Sequence, residues 1–252
     1  MAARANSAAW ATRAAVVAAF LLVPSGAGAV VGGSEDKGPL SRSTVMVLSS
    51  KGGVCSAVVL ARDVVLTAAH CVTGAPEHRV HFRSEDGEPV LITPVDKVPH
   101  PGFNAKAVQA RRRSIDLALV RVPGRLPDRF EAATLTAAAA PNGASAMLGG
   151  YGVEREGDAR STGTFRSTSL KVVEPHGPSR ILVWMRGERS GACLGDSGGP
   201  VATESAVFAV ASWAKGSGGR ACGETSQGVL IGPQREWVDR ILAEWGRSAR
   251  WQ

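Results

Sequence analysis

Short runs of β-branched and apolar residues recur along the chain, each cut off by turn residues. Thr44–Leu48, Val54–Leu60, Val64–Ala68, Val80–Arg83, Val90–Val98 and Leu117–Val122 form a first set. Ala146–Tyr151, Ser169–Val173, Ile181–Met185, Val207–Trp213 and Gly228–Ile231 form a second. Runs this short and this frequent specify antiparallel barrels or sandwiches and exclude a helix bundle. The 30 glycines and 14 prolines supply the turns between them. Ala137–Ala140 with Pro141-Asn142-Gly143 reads as a linker between the two sets. One helix is expected, over Pro233–Trp245. There Trp237, Val238, Ile241, Leu242 and Trp245 recur at spacings of one, three and four, and Gly246 stops the run. Residues 247–252 are expected to fray.

Before these runs, residues 1–29 have the form of a signal peptide. Arg4 and Arg13 precede ten apolar residues, Ala14–Val23. Pro24-Ser25-Gly26 then breaks the run, and Ala27-Gly28-Ala29 has the small-x-small form of a cleavage site. Ten residues rise about 15 Å as a helix, too little for a bilayer core of roughly 30 Å. The mature chain is therefore expected to begin at Val30, to be secreted and to have no membrane association. Taking Arg4 and Arg13 from 29 basic residues leaves 27 against 22 acidic ones, a net charge of +5. No basic stripe is interleaved with aromatics, so no nucleic-acid partner is expected. The densest basic cluster, Arg111-Arg112-Arg113, reads as a solvated loop.

Cys55, Cys71, Cys193 and Cys222 are an even set behind a secretion signal, which favours disulfides over free thiols. No C-x-x-C pair suggests a zinc ribbon. Four cysteines allow three connectivities, and spacing does not choose among them.

Chemistry enters with Gly195-Asp196-Ser197-Gly198-Gly199-Pro200. A serine held between glycines in a tight turn is exposed to a substrate carbonyl. Successive backbone N–H groups of such a turn can converge on a developing oxyanion. A serine hydroxyl needs a base. His70, in Leu66-Thr67-Ala68-Ala69-His70-Cys71, is the candidate, because a strand there ends in small residues beside a cysteine. Asp116 opens the apolar run Leu117-Ala118-Leu119-Val120, where a charge is costly to bury unless paired. It is the candidate partner of His70.

Val30-Val31-Gly32-Gly33, Thr67–Cys71, Asp116–Leu119 and Gly195–Pro200, in this order, resemble the chymotrypsin/trypsin-like serine proteases. Ser212-Trp213 and the tryptophan-bearing C-terminal helix fit as well, so the resemblance covers residues 30–246. It implies an all-β fold of two six-stranded antiparallel barrels. The first spans about 30–136 and the second about 145–232, with a helix at about 233–245 within a peptidase domain of 30–252. It implies catalysis by Ser197, His70 and Asp116, and an oxyanion hole from the amides of Gly195 and Ser197. Ser212 should hydrogen-bond Asp116 and pair with a bound peptide. The resemblance pairs Cys55 with Cys71 and Cys193 with Cys222. It pairs the Val30 ammonium, once freed, with Asp196. Protein or peptide substrates and proteinaceous inhibitors are the implied partners of a monomeric enzyme with no cofactor or metal. The rival expectation is a catalytically weak binding or adhesion protein on the same fold, and a third is a carrier binding polyanions through its arginine cluster.

Three departures from the family pattern stand out. The substrate pocket maps to Gly191, Ala192, Ser212, Trp213, Ala214 and Gly228, with Gly191 where the trypsin branch has an aspartate. An apolar acyl-side residue is therefore expected, and Ala211, not a histidine, argues against acidic preference. The basic loop Asn104–Ser114 is longer than usual and is expected to be an exposed insertion. Finally, no propeptide separates Ala29 from Val30, so signal cleavage is expected to activate the enzyme directly.

Overall fold

The computed structural model describes residues 30–110, 112–204 and 206–252; the predicted signal segment, Arg111 and Ser205 lie outside the described residues. After the short strand β1 (Ser34–Glu35) and the single-turn helix α1 (Pro39–Arg42), seven strands make a first sheet. These are β2 (Thr44–Ser49), β3 (Val54–Ala61), β4 (Val64–Thr67), β5 (His78–Arg83), β6 (Pro89–Ile92), β7 (Asp96–Pro99) and β8 (Ala118–Arg121), and α2 (Ala105–Gln109) lies between the last two. Their order is β6-β5-β2-β3-β4-β8-β7.

The second sheet contains β9 (Thr134–Leu135), β10 (Ser145–Gly150), β11 (Arg166–Val173) and β12 (Leu182–Arg186). It continues with β13 (Pro200–Thr203), β14 (Ala206–Lys215), β15 (Thr225–Leu230) and β16 (Arg250–Trp251). The path β13-β10-β11-β12-β15-β14 closes on itself, because β13 also pairs with β14. That ring is a complete six-stranded barrel. The first sheet curls likewise but stays open between β6 and β7. The predicted run Val90–Val98 breaks at Pro94 between these two strands, and Pro89 and Pro99 have no amide to offer a ladder.

Alternation explains the packing. β5 buries His78, Val80 and Phe82 while its intervening residues are partly or fully exposed. β3 and β4 are covered on both faces. One core fills each barrel, the first around Val45, Val59, Val80 and Phe82 and the second around Leu148, Leu170, Met185 and Phe208. A third core joins Leu60, Leu66 and Leu119 of the first barrel to Trp184, Val207 and Val210 of the second, with Trp237 and Ile241 of α3 (Arg235–Glu244) closing it. The barrels are thus fixed against each other by buried apolar surface.

Both margins of the expected division shift. β1 pairs with β11, so residues 34–35 belong to the second sheet, and β9, starting at Thr134, joins it ahead of the expected start at about 145. The expected frayed segment is ordered: β16 pairs in parallel with β9, and the Trp251 indole donates to Asp239 at 2.8 Å. Among the described residues no helix is long and apolar enough to cross a membrane.

Candidate active site

Strand pairing brings the first two site residues together. Thr67 at the end of β4 lies opposite Ala118 at the start of β8. His70, three residues on, and Asp116, two residues back, therefore face each other at one end of the sheet. His70 sits in a single 3₁₀ turn, Ala69–Cys71, and the Cys55–Cys71 disulfide ties that turn to β3. Asp116 is 1% exposed. Its Oδ1 accepts the His70 backbone amide at 2.9 Å, and its Oδ2 accepts His70 Nδ1–H at 2.7 Å. Oδ2 also accepts the Ser212 hydroxyl at 2.6 Å. Ser212 reaches it from the second barrel because the β14–β15 register shifts between Ala211 and Trp213, and such a bulge re-aims a side chain.

Burial alone would raise the Asp116 carboxyl. The His70 ring, the Ser212 hydroxyl and the His70 amide together outweigh it and hold the carboxyl below the ordinary aspartate range. With Nδ1 donating to a carboxylate, neutral His70 keeps Nε2 unprotonated. Cys71 Sγ lies 3.7 Å from Nε2, but a disulfide sulfur has no proton, so this is a van der Waals contact.

Ser197 approaches from the turn ahead of β13. Its Oγ donates to the Ser212 carbonyl at 3.4 Å, and among the described residues no hydrogen bond joins it to His70. Such bonds are commonly long or unformed without substrate and tighten in the complex. Among the described residues the amides of Gly195 and Ser197 donate to no protein acceptor. Gly195 has φ 101°, and a Cβ there would lie 2.6 Å from Gly152 Cα, so only glycine permits this turn.

Ser56, which the sequence did not single out, holds the turn against the first barrel. Its hydroxyl donates to the Gly195 carbonyl and accepts the Tyr151 amide, both at 2.9 Å, and its amide donates to the Ser197 carbonyl at 2.8 Å. The available signal was a lone hydroxyl in the otherwise apolar run Val54–Leu60, which the structure buries fully.

Behind the turn, Asp196 is completely buried. Its Oδ1 accepts the Gly152 amide and its Oδ2 the Cys193 amide, each at 2.8 Å. Burial dominates these two bonds and pushes the carboxyl up to about 7. The Val30 side chain is fully buried in the second barrel's core, and Val31 bridges Gly191 through a 3.0 Å bond. In the uncut chain the Val30 nitrogen is an amide and carries no charge to pair with Asp196.

A cleft of about 1290 Å³ runs between the barrels, lined by His70, Ser197, Trp213, Ala214 and the Cys193–Cys222 disulfide. Leu194 stands on its rim, 69% exposed. Gly191 and Ala192 are buried behind it. Gly228, expected on the pocket wall, instead faces the barrel interior, where a Cβ would meet Val183 and Ala209. The place beside Gly191 belongs to Ser226, whose Oγ accepts the Ala192 amide at 2.9 Å and would lie 2.9 Å from a Cβ on Gly191. The basic loop also differs from expectation. Asn104 caps α2 by accepting the Ala107 amide, and Ala105, Val108 and Gln109 line the cleft, while Arg112 and Arg113 are exposed. Cys55, His70 and Cys71 lie close together, but the disulfide consumes both thiols, so they offer no metal a ligand set.

Comparison with known proteins places this geometry. A family model described as Trypsin matches residues 30–232. Human kallikrein-8 is 26% identical over 260 residues, covering 93% of this chain and 98% of its own. Human cathepsin G is 29% identical over 227 residues, covering 79% and 84%. The solved structure of neuropsin, a serine protease expressed in the limbic system of mouse brain, superimposes with a TM-score of 0.70 at 18% identity, covering 83% of this chain and 98% of that one.

Proposed function

The chain belongs to the trypsin family of serine endopeptidases, and from that premise we propose that it is secreted and cleaves peptide bonds through Ser197, His70 and Asp116. The reading rests on one observation above the others. A fully buried carboxylate binds both the ring and the amide of His70, with His70 and Ser197 lining one cleft. That arrangement fixes the tautomer the reaction needs. Ser197 Oγ attacks the peptide carbonyl as its proton passes to His70 Nε2. The oxygen of the tetrahedral intermediate takes up the two amides of Gly195 and Ser197. The intermediate collapses to an acyl-serine as His70 returns the proton to the leaving amine. Water, deprotonated by His70, then releases the acyl group. Asp116 stays ionised and stabilises the His70 cation.

Gly191 offers no charge to an arginine or lysine, and Ala192, Ala214 and Trp213 line or back an apolar pocket, which supports preference for an apolar acyl-side residue. Cleavage after Ala29 would remove the signal and free the Val30 amine next to the buried Asp196 in a single step. The test is labelling of the secreted protein with a serine-directed fluorophosphonate, followed by N-terminal sequencing. Labelling at Ser197 in protein that starts at Val30 is expected. Absence of labelling in correctly processed protein would leave the fold without the proposed chemistry. A start upstream of Val30 would mean that a second protease is needed.

A further inference from the structure

The second barrel carries a basic hollow separate from the cleft. It has a volume of about 430 Å³ and shares no lining residue with the cleft. Its floor is a row of residues directly opposite one another across three strands: Ser145 on β10, Lys171 on β11 and Arg186 on β12. Like charges in direct cross-strand register repel. Here Lys171 faces Arg186, and the Gly187–Ser190 loop adds Arg189 to the wall. A single carboxylate, Glu188, lines the same hollow. Among the described residues none of the three cations has a carboxylate within ion-pair distance. Among the described residues Lys171 Nζ donates only to the Ser145 hydroxyl, at 3.1 Å.

We propose that this hollow binds a sulfate or phosphate group. Three cations line it together with Ser145, Ser169 and Ser190, which is the donor set a tetrahedral oxyanion takes up. A doubly charged ligand between Lys171 and Arg186 turns their repulsion into two attractions. The site also touches the activation segment. Gly32 lines it, and a Cβ on Gly32 would lie 2.7 Å from the Arg189 carbonyl, so the Gly187–Ser190 loop and the buried Val30 turn are packed together. A ligand held by that loop stabilises the folded protein over the unfolded chain.

The test is equilibrium binding of inorganic sulfate, inorganic phosphate and a sulfated disaccharide to the processed protein at low salt, with melting temperature measured in parallel. At least one probe should bind and raise the melting temperature. Lys171→Glu with Arg186→Glu should weaken that binding roughly tenfold or more, while cleavage of a small peptide substrate stays unchanged. Lys171→Gln with Arg186→Gln removes the charges with less change in shape and should give the same loss. Binding of the free ions identifies a free oxyanion as the ligand, and binding of the disaccharide alone identifies a sulfate ester; either supports the site. No binding by any probe, or binding that both double variants retain, overturns it.

Discussion

Two buried aspartates, Asp116 and Asp196, sit on either side of Ser197 and have opposite electrostatics. Both lie out of solvent, and both accept backbone amides. Asp116 has in addition the His70 ring and the Ser212 hydroxyl, and stays ionised. Asp196 has two amides and nothing else among the described residues, and its carboxyl rises to about 7. The difference shows that burial does not set the charge of a carboxylate; the number and strength of its donors do. It also separates two tasks. Asp116 has its full set of donors in the uncut chain, whereas Asp196 has two amides only among the described residues, and under the proposed activation the freed Val30 ammonium would complete its set.

Replacing Ser197 by alanine sets the floor for any test of this contrast, with turnover expected to fall on the order of 10⁶-fold in the processed enzyme. Asp116→Asn should come next, at roughly 10⁴-fold in kcat, because the amide stabilises the wrong His70 tautomer. Steady-state kinetics on a peptide substrate reads both. If Asp116→Asn keeps most activity, the two aspartates do not differ in the way described.

Asp196→Asn should act with opposite signs in the two forms of the chain. In processed protein it leaves the Val30 ammonium buried without its partner, at a cost of about 3–5 kcal/mol to the inserted state. Activity should fall with the loosened Gly195–Ser197 turn. In the uncut chain the same change should stabilise at neutral pH. There the Asp196 carboxyl binds its proton more tightly folded, at about 7, than unfolded, at its ordinary 3.8. Its contribution is full below pH 4 and is lost as pH rises through 7, roughly 4 kcal/mol in all. Asp116, with its pKa lowered, runs the other way: its contribution holds above the ordinary aspartate range and disappears as the solution becomes more acidic. Denaturant titrations of uncut protein between pH 4 and 7 should show the decline, and Asp196→Asn should abolish it. A flat profile in the unmodified uncut chain would contradict the contrast.

The smallest effect is expected from a third aspartate. Gly191→Asp places a carboxylate at the pocket base, but its Cβ would meet Ser226 Oγ at 2.9 Å. The gain for arginine over phenylalanine substrates should stay below about tenfold in kcat/KM, roughly 1.4 kcal/mol. Adding Ser226→Gly makes room and should enlarge it. Faster cleavage after arginine by the unmodified enzyme would remove the basis for an apolar pocket.

What the sequence made legible follows the range of the interactions. His70, Asp116 and Ser197 stand in short motifs whose residue types announce their chemistry. Ser56 does not, because its meaning lies in the Gly195 carbonyl 139 residues away. The family resemblance maps Gly228 to the pocket wall. The register of β15, with Gly228 opposite Ala211 and Val183, instead puts Ser226 beside Gly191. The barrel runs were readable from apolar patterning. The open side of the first barrel was not, since it depends on which edge two proline-flanked strands leave unpaired.

The residues around α3's end have a consequence in time. Trp245 donates to Asp96 at 3.2 Å, Arg247 holds Asp63 at 2.8 and 3.0 Å, and β16 docks on β9. Asp63 and Arg247 are 184 residues apart. At a synthesis rate of about 5–20 residues per second, roughly 10–40 s pass between the making of one and the other. For most of that interval the first barrel carries His70 and Asp116 without the clasp that locks it to its neighbour. The cleft between the barrels is therefore clasped only after both of these distant parts of the chain have been made.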